Sequence, residues 1–190
     1  METKDGNHKE MPFEDKESHR WFEGYLKGCA LAEALPRSEV LVTGDRESDI
    51  YEIYAERQRR ARAGEPFAHI LVRAGRDRAL MKKKQPEETE ETEETEETEA
   101  AHLYEAARRG RKLGTYQVEV GDKDQIRKIK GNKRLTHREG RKATLQVRVA
   151  RVTLRPPHRK HGEALPPVEL WAVSVVETAP PDGQEPIEWI

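Results

Sequence analysis

Residues 40–50 read VLVTGDRESDI, and this stretch decides how the first half of the chain folds. Its apolar run, residues 40–42, ends at Gly44 and is typical of a short buried strand. Asp45 follows directly, and the pattern of residues 48–62 predicts a helix. The sequence therefore places a carboxylate at the carboxyl end of a buried strand, just before a helix.

The residues on either side repeat this alternation of helix and strand. Apolar side chains at spacings of three and four predict an amphipathic helix over residues 14–35: Trp21, Phe22, Tyr25, Leu26, Cys29 and Leu31. Residues 67–72 form a second apolar run, which Arg73 closes. The order helix, strand, helix, strand predicts an α/β layer with neighbouring parallel strands.

The chain changes character after residue 80. Four Glu-Glu-Thr triplets, residues 87–98, offer no apolar face, which predicts a solvated or disordered insertion. Later alternations predict antiparallel strands joined by basic loops, at residues 116–120, 143–149, 152–154 and 170–176. Between Ala101 and Gly162 there are eighteen Lys or Arg residues against five Asp or Glu residues. This part of the chain therefore carries a surplus of thirteen positive charges.

The composition limits both the core and the kinds of site. Because 34% of the 190 residues are apolar and 37% are charged, we expect a modest core beside solvated segments. Cys29 is the single cysteine, which excludes an intrachain disulfide and a cysteine-rich zinc site. His158 and His161 stand three apart in a basic loop, where coincidence explains them better than zinc binding. No apolar run approaches the length of a membrane span, so we expect a cytoplasmic protein without a membrane partner.

The acidic residues of the 40–50 segment allow two roles. Asp45 at a strand end is well placed to hold a divalent cation, and it is equally well placed to cap the following helix. For Glu47 and Asp49, helix capping and a favourable interaction with the helix dipole are the preferred explanations over metal binding. The local pattern alone leaves Asp45 open between ligand and cap.

Five blocks of sequence carry a resemblance to a known family. They are EDKES (14–18) followed by Trp21, VTGDRESDIY (42–51), LVRA (71–74), LGTY (113–116) with RKA (141–143), and PIEWI (186–190). In this order they resemble the DDE transposases of bacterial insertion sequences. The branch that they resemble has a ribonuclease-H-like catalytic domain interrupted by a β-rich insertion, and the resemblance covers nearly the whole chain from residue 13.

The resemblance implies roles for three residues. Asp45 matches the second of three catalytic carboxylates, which in this family bind two divalent cations, usually Mg²⁺, for phosphoryl transfer. Arg73 matches a basic residue near the DNA, with a surface ion pair as the alternative. Trp189 matches an indole that stacks on a base displaced from the duplex, and an aromatic plug at a strand end is the alternative.

The basic insertion suits DNA binding on its own physics, because lysine and arginine in loops neutralise phosphates and release counterions. The candidates are Lys130, Lys133, Arg134, Arg141 and Lys142, with Arg127, Lys128 and Arg138 beside them. A loop that improves solubility by offsetting the acidic repeat is the alternative.

The expected fold class is α+β, with a partial ribonuclease-H-like α/β layer followed by a β-rich antiparallel insertion subdomain. The expected boundaries are a disordered leader (1–13), a partial catalytic core (14–80), a charged low-complexity linker (81–100) and the insertion subdomain (101–190).

Two functions from different classes follow from this comparison. The family's other two carboxylates are expected upstream of Glu14 and beyond Trp189, so we expect a truncated transposase that does not cut DNA alone. Its partners would be double-stranded DNA at transposon ends and full-length transposase or a second copy of the chain. The alternative is a non-catalytic basic module that binds DNA or regulates a transposase. A weaker third option is an unrelated α+β protein with a fortuitous match.

Overall fold

The computed structural model describes residues 13–81, 101–129, 132–158 and 164–190, with the backbone alone over 123–129 and 132–138. Its helices are α1 (His19–Ala34), α2 (Tyr51–Ala63) and α3 (Leu103–Arg109). Its strands are β1 (Leu41–Gly44), β2 (His69–Val72), β3 (Arg111–Val120), β4 (Lys123–Ile129), β5 (Asn132–Arg138), β6 (Arg141–Leu154), β7 (Val168–Glu177) and β8 (Glu188–Trp189). The protein is therefore mixed α and β, as the sequence predicts. Along these described residues, no helix has both the length and the apolar character needed to cross a membrane.

The chain divides into two compact units, and each of them combines stretches that are separated along the sequence. The first contains the described residues up to Ala106 and also Arg151–Trp171, and the second contains Ala107–Ala150 and Ala172–Ile190. Strands β6 and β7 contribute residues to both units. The first unit thus takes in a return segment that the alternation of local patterns did not assign to it.

In the first unit, β1 and β2 form a parallel pair, which confirms the prediction of neighbouring parallel strands. Side chains from α1, from α2 and from the residues just before α2 and β2 meet in its core: Tyr25, Cys29, Ile50, Ile53 and Ala68. The Tyr25 hydroxyl is buried among them and donates to the Ala68 carbonyl at 3.2 Å. Gly64 ends α2 with φ +68°, a left-handed conformation that glycine adopts without strain.

The return segment of the first unit is held to α2 by polar contacts. Gln58 Nε2 donates to the Pro167 carbonyl at 2.8 Å, and the Glu169 amide donates to Gln58 Oε1 at 2.9 Å. The Tyr51 hydroxyl donates to the Pro166 carbonyl at 2.9 Å. Gln58 is buried, and a buried amide group needs partners for both its NH₂ donor and its carbonyl acceptor. Backbone groups of residues 167 and 169 supply one partner for each.

A four-stranded sheet has the order β3-β6-β7-β8, and β4 and β5 form a separate antiparallel hairpin. Here the prediction of basic loops between residues 120 and 141 was wrong, because most of these residues pair as strands. Likewise, the two strands predicted at 143–149 and 152–154 are one continuous strand, β6. Residues 1–12 of the predicted leader and the acidic repeat at 87–98 lie outside the described residues.

Candidate functional site

The carboxyl ends of β1 and β2 meet at one edge of the parallel pair. Gly44 is the register partner of Val72, and the Arg73 amide donates to the Gly44 carbonyl at 3.1 Å. Asp45 and Arg73, which follow these strands, therefore lie on the same edge, and both are exposed. The structure thus brings together two residues that the sequence resemblance singles out.

Asp45 acts as a cap in this structure. Its Oδ1 accepts a hydrogen bond from the Glu47 amide at 3.0 Å, at the start of a 3-10 turn over Arg46–Ser48. The Ser48 hydroxyl donates to the Asp45 carbonyl at 3.0 Å, which closes the same turn. The sequence alone left Asp45 open between a capping role and a metal-binding role. The hydrogen bond observed here is the one that a capping residue makes.

Asp49, four residues further on, is the buried acid of this segment. Its Oδ2 accepts from the amides of Gly75 and Arg76 at 2.8 and 3.0 Å. Its Oδ1 accepts from the Tyr54 hydroxyl at 3.0 Å and from the guanidinium of Arg78. The capping role preferred for Asp49 is therefore too local, because this carboxylate ties the loop after β2 to the start of α2.

Burial and the neighbouring charge act on Tyr54 as well. Burial is the largest cause that raises the pKa of the Tyr54 hydroxyl well above its ordinary range, and the adjacent Asp49 carboxylate adds to it. The hydroxyl therefore stays protonated and remains a hydrogen-bond donor to Asp49. This contact fixes the carboxylate from the helix side, while the loop amides fix it from the other.

Gly75 allows the loop to approach this edge closely. A Cβ atom at that position would lie 2.9 Å from the Arg46 carbonyl oxygen, which is closer than real Cβ contacts. The approach brings the loop beside the 3-10 turn. It gathers three exposed arginines on the Asp45 edge: Arg46, Arg73 and Arg76.

The acids of this edge do not fit a site for two divalent cations. Glu47 forms an ion pair with Arg20 at 3.2 Å, and the Asp49 oxygens accept from backbone amides, a tyrosine and an arginine. Asp45 alone offers too few oxygen ligands for a hydrated Mg²⁺ pair. Within the described ranges, no three His, Cys, Asp or Glu residues come together as a metal-binding group.

The basic candidates of the insertion fall into different settings. Lys130 lies outside the described residues, while Lys133 and Arg134 lie in β5. Lys142 is exposed at the start of β6. The side chain of Arg141, by contrast, is 10% exposed and binds the Glu177 carboxylate at 2.7 and 2.9 Å. Because its guanidinium is engaged inside the protein, Arg141 is not expected to contact DNA.

Trp189 lies in β8 as the register partner of Val175, with 41% of its surface exposed. It is accessible from solvent, which both stacking on a base and a partial plug would allow, so its role stays a prediction. The residue before it, Glu188, receives two hydrogen bonds from Arg108 at 2.6 and 2.9 Å. These hydrogen bonds from Arg108 are the largest contribution that holds the pKa of the Glu188 carboxyl below its ordinary value.

Sequence reasoning missed three polar anchors that the structure shows: Arg78, Gln58 and Glu177. Their partners are 29, 109 or 111, and 36 residues away along the chain, so no local spacing indicates them. No family model matches the chain.

Proposed function

We propose that this chain binds double-stranded DNA, with the β4–β5 hairpin as the main contact. One observation carries the proposal: the hairpin register sets Arg127 opposite Arg134 and Lys128 opposite Lys133. Like charges at directly opposed positions destabilise an antiparallel pair, and a polyanion removes that repulsion. A hairpin of this charge pattern is therefore stabilised by binding DNA.

The composition of the hairpin supports the same proposal. From Lys123 to Arg138 the one acidic residue is Asp124, whereas seven residues are basic: Lys123, Arg127, Lys128, Lys130, Lys133, Arg134 and Arg138. Such a cluster binds phosphates without reading the base sequence. We expect affinity that falls steeply with salt and that varies little between duplexes of different sequence.

The transposase-like origin is part of the proposal. The parallel β1–β2 pair, with α2 between its strands in sequence and Asp45 at the carboxyl edge, supports a partial ribonuclease-H-like layer. In that setting the exposed Arg73 is a second phosphate contact, in addition to the basic hairpin of the proposed insertion. Association with full-length transposase or with a second copy stays a prediction.

A salt titration of DNA binding tests the proposal. A random 30-base-pair duplex is titrated with the full chain by fluorescence anisotropy at several salt concentrations. Each phosphate contact contributes roughly 0.9 to the slope of log K against log salt concentration. We therefore expect the double variant R127Q/R134Q, which removes two contacts, to reduce the magnitude of the slope by about 1.8.

A matched variant separates this effect from a change in net charge. Lys27 and Arg37 are exposed in the first unit, so K27Q/R37Q removes the same charge from another surface. This variant is expected to keep the wild-type slope. The hairpin proposal fails if the wild-type protein does not bind the duplex at low salt. It also fails if R127Q/R134Q and K27Q/R37Q change the salt slope equally.

A further inference from the structure

The second unit contains a cavity of about 390 Å³ on one face of its sheet. The residues that line it come from α3, β6, β7 and β8: Arg108, Gln146, Arg148, Ser174, Val176 and Glu188. Val176 and Glu188 are register partners, so their side chains share the face to which Ser174, two residues before Val176, also belongs. Five of these six lining residues are polar or charged, and Val176 is the apolar one.

Ser174 on the cavity wall is fully buried, and its hydroxyl has no hydrogen-bond partner among the described residues. A buried hydroxyl normally has a partner, because leaving it without one costs the free energy of its lost hydration. The hydroxyl is the one buried side-chain polar atom in this condition within the described part of the chain. It indicates that an acceptor belongs beside Ser174.

Arg148, which is half-buried, has neutral partners. Its Nε donates to Gln146 Oε1 at 2.7 Å, and its Nη1 donates to the Gly110 carbonyl at 3.1 Å. Across the described residues it makes no ion pair, whereas Arg108 faces the Glu188 carboxylate at 2.6 and 2.9 Å. The lining therefore carries two arginines and one carboxylate, which leaves one positive charge uncompensated.

We propose that this cavity binds a phosphomonoester group. A phosphate supplies an anion for Arg148 and an acceptor oxygen for Ser174, and thus satisfies both groups at once. Its several oxygens suit the forked donors of a guanidinium better than a single-acceptor ligand does. A duplex backbone lies across a surface, whereas a terminal phosphate enters a recess end-on and reaches a buried hydroxyl.

The size of the cavity extends the inference to what the phosphate carries. Its volume falls within the roughly 300–1,000 Å³ that is typical of small-molecule sites, so a nucleoside fits beside the phosphate. The phosphate comes either from a free nucleotide or from the 5′ end of a DNA strand. The site is separate from the β4–β5 hairpin, and the proposal does not depend on the hairpin binding DNA.

Calorimetric titration of the full chain tests the site with four probes: inorganic phosphate, thymidine 5′-monophosphate, and a short single-stranded oligonucleotide with and without a 5′-phosphate. Ser174→Ala removes one hydrogen bond, and we expect about 2- to 10-fold weaker nucleotide binding. Arg148→Gln removes the charge-assisted contact, and we expect about 10- to 100-fold weaker binding. Arg111→Gln removes an exposed arginine of β3 outside the lining and is expected to leave binding unchanged.

The results distinguish a nucleotide site from a DNA-end site, and they also show whether the cavity binds a phosphate at all. Binding of thymidine 5′-monophosphate supports a nucleotide site, and binding of the 5′-phosphorylated oligonucleotide alone supports a DNA-end site. Either result should persist in R127Q/R134Q, which distinguishes it from the hairpin. The proposal is overturned if no phosphorylated probe binds saturably, or if Ser174→Ala raises the melting temperature while nucleotide affinity stays at the wild-type value.

Discussion

Arg78 holds the carboxylate of Asp49 with two guanidinium nitrogens, Nη2 at 2.6 Å and Nε at 3.1 Å from Oδ1. The same Nη2 donates to the Asp49 carbonyl at 2.7 Å, so side chain and backbone are fixed together. The two side chains are 11% and 3% exposed. Breaking a buried pair from one side leaves an uncompensated charge, which costs more than the pair itself contributes.

We therefore expect Asp49→Asn to destabilise the first unit by about 3–5 kcal/mol. The measurement is the free energy of unfolding in urea. Arg59→Gln is the control, because Arg59 is half exposed in its ion pairs with Glu56 and Glu65, and the loss of exposed ion pairs costs much less than the loss of a buried one. An Asp49→Asn protein as stable as the Arg59→Gln protein would show that the buried pair does not anchor the loop.

The first part of the fold could be predicted because its signals are local. Apolar runs before Gly44 and Arg73 gave both strands, and their order with α2 gave the parallel pairing. The role of Asp49 could not be predicted, since two of its donors are backbone amides of an irregular loop. The β4–β5 hairpin was missed because its charged residues hide the alternation that marks a strand.

Arg141 and Lys142 are neighbours in sequence with opposite surroundings. Arg141→Gln deprives the buried Glu177 of its arginine, and we expect a loss of about 3 kcal/mol in stability. Lys142→Gln changes an exposed residue, so we expect less than about 0.5 kcal/mol. If Lys142 contacts a phosphate, the salt slope of DNA binding also falls by about 0.9 in that variant.

These two variants are compared by chemical unfolding and by the salt titration of the same duplex. In the salt titration, which is carried out on folded protein without denaturant, Arg141→Gln should retain the wild-type slope of log K against log salt concentration. A reduced slope in Arg141→Gln together with normal stability would contradict the structural role of its ion pair.

Glu56 gives the first unit an acid-sensitive contact. Hydrogen bonds from Arg59, and then from Arg60, hold the pKa of the Glu56 carboxyl below its ordinary value of 4.5. A carboxyl whose pKa is lower in the folded state stabilises the fold above its unfolded pKa, and this contribution disappears as pH falls through the folded value. We expect Glu56→Gln to lower the melting temperature at pH 7. Below about pH 4.5, the melting temperature of Glu56→Gln should fall less steeply with decreasing pH than that of the wild type. Melting curves from pH 7 to pH 3 measure both effects, and equal declines in the two proteins would rule out this contribution.

Asp45 provides the sharpest test of the transposase resemblance, because its two roles respond differently to substitution. As a cap, its Oδ1 accepts from the Glu47 amide, which an asparagine oxygen can also do. We therefore expect Asp45→Ala to lose about 1 kcal/mol of stability and Asp45→Asn to stay close to wild type. As a metal ligand, Asp45 would link Mg²⁺ to folding, so added Mg²⁺ would stabilise the wild type more than Asp45→Asn. Unfolding each protein with and without Mg²⁺ separates the roles. Because Glu47 and Asp49 are already bound to protein groups, we expect Mg²⁺ to change the stability of the two proteins equally. If Mg²⁺ stabilises the wild type alone, Asp45 is a metal ligand.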